Sequence, residues 1–114
     1  MTYNVFRQLL SEANEYNDFD LYIAERGWQE WMAEYADDDG NGYNILHILE
    51  TIYSLKDNPI KKLLSITGLS QQRFATAYGI PTRSIENWSG QQRTAPQYVT
   101  TMLSYCVMSD LNII

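Results

Sequence analysis

Three features of the sequence predict an all-α fold. Apolar side chains return at three- and four-residue intervals over most of the 114 residues, the spacing that lines one face of a helix. No stretch alternates apolar and polar residues in the period-two manner of a strand. Helix-stopping and helix-starting residues, at Asn58-Pro59, Gly68-Leu69-Ser70 and Gly79-Ile80-Pro81, fall where that periodicity is interrupted. A hydrophobic content of 45% is ample for a core, and the length suits one domain or a small domain with a helical extension.

Residues 2–16 place Tyr3, Phe6, Leu9, Leu10 and Ala13 on one face and predict an amphipathic helix ending near Asn14 to Asn17. Asp18 or Asp20 can cap a short second helix through Arg26, with Gly27 closing it. Phe19, Leu21, Tyr22 and Ile23 are too crowded there for a clean period. Trp28, Trp31, Met32 and Tyr35 then predict a third helix over 28–36, its aromatic stripe turned into the core or offered to a partner.

Asp37-Asp38-Asp39-Gly40-Asn41-Gly42-Tyr43 imitates the start of a calcium loop, with carboxylates at positions one and three and a glycine at six. The imitation fails at position twelve, which is Ile48 where a bidentate glutamate is required, and Glu50 comes two residues late. A solvated turn explains the same residues, and no metal site is expected. His47 is the only histidine and has no partner ligands in its neighbourhood, so it reads as a helix-face residue.

Asn44 can cap a fourth helix whose wide apolar face, Ile45, Ile48, Leu49, Ile52, Tyr53 and Leu55, runs to about Asp57. Asn58-Pro59 restarts a helix carrying Ile60, Leu63, Leu64 and Thr67, and Gly68 stops it. Ser70 caps the next, with Phe74, Ala75 and Tyr78 on its buried face. Gly79 supplies the sharp turn and Pro81 pre-sets the first turn of another helix from about Pro81 or Thr82. On that helix Pro81, Ser84, Ile85 and Trp88 share an inward face, and Thr82, Arg83, Glu86 and Asn87 an outward one. After the polar loop 89–95, Pro96 opens a last helix with Val99, Met102, Leu103, Cys106 and Val107 turned inward. Cys106 is the only cysteine, so no internal disulfide is available, and it reads as buried packing.

Charge divides along the chain. The net charge is −6, but residues 1–54 carry two arginines against eleven carboxylates, a net of −9, and residues 55–114 carry six cations against three carboxylates, a net of +3. No catalytic dyad, metal cluster or phosphate-cradling glycine loop occurs, so an enzyme is not expected and no cofactor is implied. The sequence has no run of about eighteen apolar residues and no basic-then-apolar leader. A cytoplasmic protein that neither spans nor enters a membrane is therefore expected.

The segment Leu69 to Trp88 carries a resemblance. Leu69, Ser70, Gln71, Phe74, Ala75, Gly79, Ser84, Ile85 and Glu86 stand where the helix-turn-helix domain of the phage Cro and repressor family has its Leu-Ser-Gln, apolar-Ala, Gly and Ser-Ile-Glu residues. Pro96 and Tyr98 match the proline and aromatic residue that open that domain's next helix. One departure stands out: the family's glycine after the second helix comes a residue early here, in Ser89-Gly90, so the following loop must route differently.

The resemblance covers about residues 58–111 and implies a Cro/repressor-like helix-turn-helix domain over 58–114, packed with the acidic helical N-terminal region over 1–57 that periodicity and charge define. It further implies a sequence-specific DNA-binding regulator of phage, plasmid or other mobile-element context, with double-stranded DNA as partner. It places a phosphate contact on Gln71 and base-reading positions on Thr82, Arg83 and Asn87. Arginine and asparagine suit guanine and adenine edges in the major groove, whereas Glu86 is repelled near phosphates, although it could accept from a cytosine amino group or hold Arg83 in one rotamer. With Ser84 in the first turn of the second helix and Arg93 in the following loop, the candidate DNA-binding residues are Gln71, Thr82, Arg83, Ser84, Asn87 and Arg93. The modest positive charge implies weak phosphate affinity for one copy, so a homodimer on two half-sites would help. Two rivals remain: an ordinary helix pair, and a protein-binding module whose acidic, aromatic half docks on a toxin or a basic nucleic-acid-handling protein.

Overall fold

The computed structural model describes residues 1–37 and 42–114, and every described element is helical. The chain divides into two compact units, Met1–Lys56 and Asp57–Ile113. No helix among the described residues is long and apolar enough to cross a membrane.

The first unit contains α1 (Tyr3–Ala13), α2 (Phe19–Ala24), a 3₁₀ helix (Glu30–Tyr35) and α3 (Tyr43–Ser54). Thr2 caps α1, its hydroxyl accepting the Val5 amide, and of the expected stripe Phe6, Leu9, Leu10 and Ala13 are buried and Tyr3 is partly buried. Asp18 caps α2 by accepting the Asp20 amide at 2.8 Å. Packing settles the crowded apolar run in α2: Tyr22 is fully buried and Leu21 is exposed. The other three elements all pack against α3, which contributes Ile48, Leu49 and Ile52 to the core.

The Tyr22 phenol donates to the Leu9 carbonyl at 2.9 Å, and burial pushes its pKa up. Its ring lies 5.4 Å from that of Tyr53 and 5.9 Å from that of Tyr16. The Arg26 guanidinium sits 4.5 Å from the Tyr22 ring centroid, pairs with Glu12 and donates through Nε to the Tyr22 carbonyl. This charge is thus enclosed by an aromatic face, a carboxylate and a backbone oxygen.

Two expectations for this unit need correction. Residues 28–36 do not form an α-helix: Gln29 is extended, the helix starts at Glu30, and its tighter 3₁₀ winding aligns Met32 with Tyr35 and leaves Trp28 outside it, 67% exposed. Asn44 does not cap α3, because it lies inside the first turn, and the carboxylate of Asp37 accepts the amides of Tyr43 and Asn44 at 2.8 and 3.3 Å. Asp37 therefore acts as a remote cap across the loop. Residues 38–41 of the calcium-loop imitation lie outside the described residues.

The second unit contains α4 (Pro59–Thr67), α5 (Gln71–Tyr78), α6 (Thr82–Ser89) and α7 (Gln97–Asp110). Asn58 caps α4 and Gly68 ends it with φ +69°. Helix α4 packs on α6 and α7, and α5 packs on α6, enclosing Ile60, Leu63, Phe74, Ala75, Ile85, Val107 and Met108.

Helix α7 is rotated relative to expectation. Met102 is 53% exposed and Cys106 is exposed, whereas Thr101, Leu103, Ser104, Val107 and Met108 are buried. The polar members fit inside because the Thr101 and Ser104 hydroxyls donate to the carbonyls four residues back, of Gln97 and Thr100. Cys106 is correspondingly a surface thiol.

Candidate nucleic-acid interface

Helices α5 and α6 are joined at Gly79, whose φ of +68° is available to glycine without Cβ strain. The Ile80 amide reaches back to the Ala75 carbonyl at 2.9 Å, the long bond of a Schellman turn. At the other end of α5, the Ser70 hydroxyl accepts the Arg73 amide at 3.2 Å. Pro81 stands at the start of α6 as the spacing predicts, and its carbonyl accepts the Ser84 and Ile85 amides.

Only Ile85 of the expected inward face of α6 is fully buried. Ser84 and Trp88 are partly buried, and Pro81 is exposed because it belongs to the turn. Trp88 is therefore not the core residue its spacing predicts. On the outward side Arg83 and Glu86 are exposed, and Thr82 and Asn87 are partly buried. Glu86 and Arg83 form no ion pair among the described residues, so Arg83 is not held by its helix neighbour.

The candidate DNA-binding residues gather at the two ends of α6. Thr82, Arg83 and Ser84 occupy its first turn. At its last turn the Gln71 side chain donates to the Ser89 hydroxyl at 2.9 Å, and the Arg93 amide donates to the Asn87 carbonyl at 3.3 Å. Gln71 thus has an intramolecular partner that its position in the sequence does not reveal. Asn58 joins the same end by donating to the Ser89 carbonyl at 3.1 Å. The eight residues of α6 span about 12 Å at 1.5 Å per residue, between three and four base-pair steps of about 3.4 Å.

After α6 the turn does not use the glycine as its left-handed residue. Gly90 keeps an ordinary right-handed φ of −83°, and the left-handed conformation falls on Gln91, with φ +63°. The loop keeps the turn one residue past the glycine and puts a side chain where glycine is favoured. A Cβ added at Gly90 would meet first the far end of the flexible Gln92 side chain, which can move aside. The double substitution Gly90→Ala/Gln91→Gly should therefore stabilise the protein by about 1 kcal/mol, the relief at 91 exceeding the entropy cost of the new glycine. A thermal melt should show a midpoint higher by about 4–8 °C for a unit of this size, and an unchanged or lower midpoint would defeat this account of the loop.

A second tie braces the far end of α5. The Tyr78 hydroxyl donates to Asp110 Oδ2 at 3.0 Å, and its ring lies 4.9 Å from that of Phe74. Burial first, and the Asp110 carboxylate second, push the Tyr78 phenol from 10.0 up to about 12. The folded state thus holds this proton more tightly than the unfolded chain, so the contribution is intact below pH 10.0 and is lost as pH rises towards 12. The native protein should lose stability more steeply than Tyr78→Phe across that window in melts at stepped pH. Parallel curves would mean that the bond to Asp110 contributes nothing.

No group of three or more His, Cys, Asp or Glu side chains among the described residues could hold a metal ion. No family model, curated protein or solved structure matches the chain.

Proposed function

We propose that the chain is a sequence-specific DNA-binding transcriptional regulator from a phage, plasmid or other mobile element, with α6 as the helix that enters the major groove. The observation that carries this reading is the pair α5 and α6 about Gly79, with Arg83 exposed and in no ion pair among the described residues in the first turn of α6 and Asn87 and Arg93 near its other end. An arginine so placed can approach the O6 and N7 of guanine, and the exposed Arg73, Arg83 and Arg93 supply charge for phosphate. Gln71, held by Ser89, is pre-oriented to offer its remaining amide hydrogen to a phosphate oxygen.

The experiment is selection of bound duplexes from a randomised pool, followed by salt titration on the selected and random sequences. Arg83→Ala should reduce the preference for the selected sequence by about 1–3 kcal/mol and leave the melting curve unaltered. Equal loss on both duplexes would remove the base-reading role from Arg83. Recovery of no enriched sequence would remove the regulator reading itself.

One observation favours a second reading, in which the acidic unit docks on a protein. Trp28 and Tyr43 are 67% and 73% exposed in a segment rich in carboxylates, a combination suited to a basic partner with an apolar centre. Failure of DNA selection together with capture of a basic protein that Trp28→Ala abolishes would put this reading first.

A further inference from the structure

The first unit contains a cavity of about 550 Å³, a volume in the range that holds small organic molecules. Val5 and Leu9 of α1 and the Trp31 indole of the 3₁₀ helix supply its apolar lining, and Glu12, Glu30 and Glu34 supply three carboxylates. Trp31 Nε1 is already taken by Gln29 Oε1 at 2.6 Å, so the indole offers its ring and not its donor. Glu12 is committed to Arg26, and Glu34 accepts the Met1 amino group at 3.3 Å, which also donates to the Tyr35 hydroxyl at 2.7 Å. Glu30 is exposed and makes no ion pair among the described residues.

These contacts decide the sign of a ligand. An anion would enter against three carboxylates offset by two cations, the Met1 amino group and the Arg26 guanidinium, whereas an ammonium finds the Glu30 carboxylate in no ion pair among the described residues and the Trp31 ring in the same lining. A carboxylate of the same lining, Glu34, already accepts one amino group, that of Met1. We propose that this cavity binds a small organic cation, an ammonium carried on an aromatic or aliphatic body that fills the space beside Val5, Leu9 and Trp31. Specificity comes from the pairing of an apolar wall with an acidic mouth.

The test uses the full chain and three probes of like shape: 4-phenylbutylamine, neutral 4-phenylbutanol and anionic 4-phenylbutyrate. Binding is followed by tryptophan fluorescence and by backbone amide shifts at Val5 and Leu9. The amine should saturate at millimolar concentration or below, about tenfold tighter than the alcohol, and the carboxylate should not bind. Trp31→Phe should remove the fluorescence response, and Glu30→Gln/Glu34→Gln, at two exposed positions that leave folding intact, should weaken the amine about fivefold or more. Equal binding of alcohol or carboxylate, an unchanged affinity in the double variant, a fluorescence response that survives Trp31→Phe, or no saturation by the amine would each overturn the proposal.

Discussion

Phe74→Ala should cost about 3–5 kcal/mol, the range for deleting a fully buried aromatic from a packed core. Phe74 lies on the inner face of α5, is 0% exposed and packs its ring 4.9 Å from that of Tyr78, which is in turn bonded to Asp110 near the end of α7. Truncation leaves a cavity beneath the α5–α6 pair and removes the contact that sets the Tyr78 ring. With a urea dependence of about 1–3 kcal/mol per molar, the unfolding midpoint should fall by about 2 M. Trp88→Ala, at a partly buried site, should cost visibly less, although the spacing of apolar residues places both side chains on inward faces. A Phe74→Ala midpoint within a few tenths molar of the parent would show that α5 does not depend on this side chain.

Arg26→Met keeps the aliphatic bulk and removes the charge, and it should cost about 2–4 kcal/mol. The guanidinium side chain is only 6% exposed and gives up three partners at once: Glu12, the Tyr22 carbonyl and the Tyr22 ring. Removing one partner of a buried pair strands the other charge, but Glu12 is 28% exposed and water can reach it, so the cost falls below the full penalty of about 3–5 kcal/mol. Glu12→Gln should cost less than Arg26→Met, because the guanidinium keeps the Tyr22 contacts. A double-mutant cycle with chemical denaturation measures the coupling. A cost below about 0.5 kcal/mol for Arg26→Met, or one abolished by moderate salt, would make the pair an ordinary surface contact.

Local chemistry was legible wherever a short stretch determines its own backbone. Asn58-Pro59, Gly68, Ser70 and Gly79 each act within three or four residues, so their caps and turns are where the sequence places them. The regular stripe of α1 needed no tertiary context either, since its apolar residues share one face whatever packs on it. The candidate interface was legible as a list of residues. Its arrangement was not: the bond from Gln71 to Ser89 spans the whole length of the α5–α6 pair.

By itself the sequence determined an all-helical chain, the places where α4, α5 and α6 begin, and the division of charge between an acidic first half and a weakly basic second. These follow from side-chain periodicity, from hydrogen bonds between near neighbours and from composition. Tertiary structure alone decided that Ser104 goes inside and Cys106 outside, that Asp37 caps α3 from across a loop, and that Gln91 takes the left-handed turn beside an ordinary Gly90. In each case the deciding partner is one that periodicity does not see. A hydroxyl bonded to the carbonyl four residues back loses its polar cost of burial. A helix's first amides donate to whichever carboxylate the fold brings to them, and a loop's closure sets backbone angles against the preference of the residue that must adopt them.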